Sequence, residues 1–283
     1  MDLSAKTQPK AAVLEADVPF HSVFGLARHV AAAGLAAGVT GLVVGGLGGR
    51  VVMRIAGALS GSQGAGRVTE AGFTVGEISV AGSVFLVIFI GVVSALFSAG
   101  AFLLMRPWLG WAGRLRGLVF GLALFALASA TSDVMNPDNP DFRILGNEPG
   151  VVALVAALFL AFGIVTNRLY THFDTRFQPE EEGFTSVGVG YGVFAVLGAI
   201  AAIPMLAAVL SGGDGVCGCE APVWASRSFL VVAISTAIVW IAAITRLPGW
   251  TVRVATITGF LGTAGVFAFG LVRAVSDAVE IIT

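Results

Sequence analysis

Residues Val151–Tyr170 read VVALVAALFLAFGIVTNRLY, and no charged residue interrupts the run before Arg168. About 20 predominantly apolar residues at ~1.5 Å rise each match the ~30 Å hydrocarbon core of a bilayer. The run is continuous rather than alternating, so it reads as a membrane helix and not as a barrel strand. Pro149 stands where such a helix begins, because the first turn has no use for the missing N–H.

The same pattern recurs on both sides of this run. It predicts further spans at Val30–Gly49, Val80–Met105, Leu118–Met135, Val187–Leu210, Ser228–Leu247 and Val254–Val272. The expected fold class is therefore all-α, a polytopic transmembrane helical bundle of about seven spans. Residues 1–29 form a cytoplasmic tail and interfacial lead-in, and 30–283 form a single membrane domain with outer loops at 61–79 and 211–227. Pro204 lies inside the fifth expected span and should kink it, while Pro248 marks the end of the sixth.

Composition agrees. Of 283 residues, 57% are hydrophobic and only 12% charged, half the charge of an ordinary soluble domain, and the mean hydropathy is +0.92. The net charge of −1 leaves no basic stripe to neutralise phosphates, so no nucleic-acid partner is expected. The lipid bilayer is the first partner. The N-terminal residues lack an apolar core followed by a small-residue cleavage site, so no cleaved signal is expected.

Basic residues set the expected orientation. With the N-terminus in the cytoplasm, the inner side holds Lys6, Lys10, Arg28, Arg106, Arg114, Arg116, Arg168, Arg176, Arg246 and Arg253. The outer side holds fewer, namely Arg50, Arg54, Arg67, Arg143, Arg227 and Arg273. The positive-inside rule then places the chain in the plasma (inner) membrane, N-terminus inside and C-terminus outside. Acidic residues collect outside: Glu70, Glu77, Asp133, Asp138, Asp141, Glu148, Asp214, Glu220, Asp277 and Glu280. They form either a solvated face or a vestibule that concentrates cations.

Several motifs invite specific chemistry. Val189-Gly190-Tyr191-Gly192 matches the core of a potassium-channel filter. It follows the charged linker Pro179–Phe184 directly, with no room for a pore helix, and Gly188 replaces the leading threonine. Close helix packing explains it better. In the first span Gly41, Gly45 and Gly49 recur every four residues, a small-residue face that predicts tight packing or a homodimer contact.

Cys217 and Cys219 form a candidate disulfide on the outer side, against two plain thiols or a metal or redox role. Asn136–Asp141 reads as a turn, since it lacks the glycine and closing glutamate of a calcium loop. His21, His29 and His172 make no metal pair and no catalytic triad. No cofactor, metal or catalytic residue is expected.

The best site expectation is an outer charge cluster of Arg50, Arg54, Asp133, Arg273, Asp277 and Glu280. Arg50 and Arg54 share a helix face, as do Arg273 and Asp277. The leading functional expectation is a non-enzymatic accessory or interaction subunit of a membrane complex. The alternative is a carrier or channel for a small solute or cation.

Overall fold

The structure is a computed structural model, and it describes residues 16–18, 20–59, 80–131, 149–177, 223–245 and 247–282. Among these, every regular element is helical. Helix α1 runs Val23–Leu59, α2 Val80–Met105, α3 Arg116–Thr131, α4 Pro149–Arg176, α5 Val223–Ile244 and α6 Gly249–Ile282.

Five helical stretches are long and apolar enough to cross a membrane: Val23–Leu59, Val87–Ser129, Pro149–Arg176, Arg227–Ile244 and Gly249–Ile282. The second has 43 residues. As one rod it would be about 65 Å long, twice the hydrocarbon thickness. Instead it doubles back through a 3₁₀ segment, Arg106–Leu115, so that Phe102 and Phe120 stack edge to face with ring centroids 5.0 Å apart. Gly113, at φ +50° and ψ −117°, supplies a backbone conformation that a side chain would strain.

The count of seven spans is not reached in the described residues. The fifth expected span, 187–210, lies outside them, as do Pro204, Val189–Gly192 and the outer loop 61–79. Helix boundaries also move outward. Ser22 caps α1, its Oγ accepting from Gly25 N–H at 3.0 Å, so the helix begins at Val23 and takes in much of the expected lead-in. It continues through Arg50 and Arg54. Pro149 is the first residue of α4 and Pro248 immediately precedes α6, as their chemistry requires.

The helices form a closed circuit. α1 packs on α2 and α4, α3 on α4 and α6, α6 on α5, and α5 returns to α2. All six contribute to one core, which includes Ala36, Phe102, Phe120, Phe162, Phe229 and Val266. In lipid the apolar faces gain little from leaving their surroundings, so close packing must hold such helices together.

Glycines provide it. A Cβ on Gly41 would meet Gly91 O and the Ala95 side chain of α2, and one on Gly46 would lie 2.8 Å from Val87 Cα. At Gly41 and Gly45 the close approach is within one chain, Gly45 facing the Ser94 and Phe162 side chains. A second seam joins α3 to α4: Gly163 abuts the backbone of Gly117 and Gly121, and a Cβ on Gly117 would lie 2.9 Å from Ile164 Cα. A third seats Gly270 of α6 on the backbone of Ala126.

Two π-helical stretches, Gly41–Gly48 in α1 and Leu86–Ile90 in α2, pack against each other.

Candidate functional site

At one end of the bundle the buried polar side chains include His29, Arg106 and Thr236. His29 lies two turns into α1 because the Ser22 cap fixes where that helix starts. Its Nδ1 is 2.8 Å from the Tyr170 hydroxyl of α4, and the two residues are 1% and 2% exposed. The His29 ring is enclosed by aromatic rings, with Phe20 at 5.5 Å, Tyr170 at 5.3 Å and Trp240 of α5 at 6.1 Å between centroids.

Arg106, the first residue of the 3₁₀ segment after α2, adds charge. It is 6% exposed, and its guanidinium carbon sits 4.7 Å above the centre of the Tyr170 ring. A desolvated cation–π contact of this kind contributes about 2 kcal/mol. The Arg106 Nη1 also donates to the Asp17 carbonyl at 3.3 Å. Asp17 is held from two further sides: its N–H donates to Pro107 O at 3.0 Å, and its carboxylate receives Arg116 Nη2 at 2.7 Å. Arg28 of α1 lies 3.6 Å from the Asp174 carboxylate of α4.

Beside this cluster the turn continues the same logic. Trp108 is fully buried, and its indole N–H donates to Thr236 Oγ1 at 3.1 Å, which in turn donates to Leu104 O at 2.8 Å. A Cβ on Gly259 would strike the Trp108 ring, so the glycine makes room for it. Residues of the N-terminal segment, α1, α2, the 3₁₀ turn, α3, α4 and α5 therefore meet in one polar and aromatic knot.

Of the expected outer charge cluster, Arg50, Arg54, Arg273, Asp277 and Glu280 are among the described residues. Arg273 Nε is 3.6 Å from Asp277 Oδ2 along α6, with Glu280 exposed on the next turn. Arg50 and Arg54 lie in the last part of α1, half-buried and exposed respectively. The ends of α1, α4 and α6 share a small apolar cluster of Ala56, Val151, Ala274 and Ile281. Asp133, Cys217 and Cys219 lie outside the described residues. Among the described residues no three His, Cys, Asp or Glu side chains come together as a metal would need.

The knot was missed because the expectation placed His29 on an amphipathic lead-in and Arg106 in a loop. A signal was present: one of only two tyrosines in the chain, and a histidine and arginine at the edges of apolar runs. An ionisable residue at membrane depth is worth a partner search by default.

The chain matches no family model, no curated protein and no solved structure.

Proposed function

We propose that the chain is a non-enzymatic accessory or interaction subunit of a membrane complex. In this reading it crosses the plasma membrane seven times, with α2 and α3 as separate spans and 187–210 as another. The N-terminus is cytoplasmic and the C-terminus outside. Orientation is supported by the arginines: Arg28, Arg106, Arg114, Arg116, Arg168, Arg176 and Arg253 belong to one end of the bundle, against Arg50, Arg54, Arg227 and Arg273 at the other.

One observation carries the functional reading. The polar groups of the knot are taken up within the chain: His29 meets the Tyr170 hydroxyl, Arg106 meets the Tyr170 ring and the Asp17 backbone carbonyl, and Arg116 meets the partly exposed Asp17 carboxylate. Enzymes and carriers aim such groups at a substrate. Here they fasten helix ends together, which builds a rigid frame. Purification from the native membrane in mild detergent tests this, with one partner protein expected at fixed stoichiometry. A chain that purifies alone and moves a solute across proteoliposomes would refute it.

The carrier reading retains one specific support, the facing π-helical stretches of α1 and α2. Such stretches are rare and often sit at functional positions. A bound small molecule in the purified protein would favour this alternative.

A further inference from the structure

Ahead of α1 the chain lies across the 3₁₀ segment as a short strap without regular secondary structure, described at Ala16, Asp17, Val18 and Phe20. Its backbone is held at Asp17, whose N–H donates to Pro107 O at 3.0 Å and whose carbonyl accepts from Arg106 Nη1 at 3.3 Å. Ala16 and Val18 pack against the cluster of Trp108, Val232 and Val239. Phe20, 1% exposed, covers His29 and Trp240, with ring centroids at 5.5 and 6.0 Å.

Two features distinguish this strap from a fixed part of the core. Its charged tie, Arg116 Nη2 to the Asp17 carboxylate at 2.7 Å, lies at the surface, with the Asp17 side chain 39% exposed. Exposed pairs of this kind are weak and are screened by salt. The seat beneath is also short of acceptors. Arg106 and Trp240 both touch the strap, and each buries an N–H, Nε and Nε1 respectively, that has no hydrogen-bond partner among the described residues. A buried donor without an acceptor costs free energy that hydration recovers once water is admitted. Burial of Phe20 therefore favours closure, while these two donors favour opening. We propose that residues 16–20 form a lid that opens over His29, with the Asp17–Arg116 pair as its catch, and that the helices stay packed when it lifts.

Carbethoxylation by diethyl pyrocarbonate, read by mass spectrometry on the full chain in detergent, tests the lid. His172 is exposed and serves as the internal standard, whereas His29 is 1% exposed and reacts only when the lid is open. The rate at His29 relative to His172 should be low in the native chain. It should rise about threefold in about 0.5 M salt, which screens the catch. Asp17→Asn and Arg116→Gln should each raise it about tenfold, the effect of losing one charge-assisted hydrogen bond. A reversible lock separates opening from loss of fold. A Cβ on Gly110 would lie 3.1 Å from the Asp17 Cβ, so a small shift brings the pair to disulfide distance. In a chain with Cys217 and Cys219 replaced by serine, Asp17→Cys with Gly110→Cys should label fast when reduced and slowly when oxidised. Helical circular dichroism should be unchanged in all these chains. His29 labelling that ignores salt and both substitutions, that is the same in the oxidised and reduced chains, or that comes only with lost helix would each overturn the proposal.

Discussion

His29 shows how much a single buried side chain depends on a residue far along the chain. The Tyr170 hydroxyl, 141 positions away, is the partner shown for its Nδ1. Tyr170→Phe keeps the ring under Arg106 but leaves that nitrogen without this bond. An orphaned buried group costs about 1–3 kcal/mol, whereas removing both partners together costs much less. Thermal stability in detergent should therefore fall for Tyr170→Phe, and His29→Leu in the same chain should recover part of the loss. The coupling between the two substitutions should be about 1 kcal/mol, within the range of hydrogen bonds inside membrane proteins. Strict additivity would show that the pair contributes nothing to folding.

At the scale of the element, backbone contact between helices sets the tolerance of each glycine. Gly163 touches the backbone of Gly117 and Gly121, which cannot swing aside as a side chain can. Gly163→Ala should separate α3 from α4 and cost about 1–3 kcal/mol, the usual penalty of overpacking. Gly34→Ala, with nothing within 4 Å of the new carbon, should be neutral or stabilise by up to about 1 kcal/mol through helix propensity. Paired melting curves of the two variants check both signs. The α1–α2 seam was legible from the spacing of Gly41 and Gly45. The α3–α4 seam had the same four-residue signature at Gly117 and Gly121 and was overlooked. Helix ends were less legible, since hydropathy reports the lipid-facing length and not where hydrogen bonding stops. That is why α1 starts at Val23, with its Ser22 cap, and α6 extends to Ile282. The Asp17–Arg116 and His29–Tyr170 contacts were not readable at all, because they depend on which helix ends meet in space.

On the scale of the whole molecule, the two ends of the bundle differ in charge and in what their charges do. One end buries Arg106 and pairs Arg116 with Asp17, yet leaves Arg114, Arg168, Arg176 and Arg253 exposed, along with Trp111 and Trp250. On the proposed orientation this arginine-rich end is the cytoplasmic rim. Cys217 and Cys219 precede Val223, where α5 starts at the opposite end, so they should face outward. His172, exposed near the end of α4, should face the cytoplasm. In intact cells treated with reductant, a membrane-impermeant maleimide should label the native cysteines. In a chain with both cysteines replaced by serine and His172→Cys added, labelling should require lysis. The two labelling sites are independent, so agreement between them fixes the direction of α4 and α5. The reverse pattern in both would invert the molecule, and the arginine-rich rim would then face the outside, where the positive-inside rule gives it no reason to be.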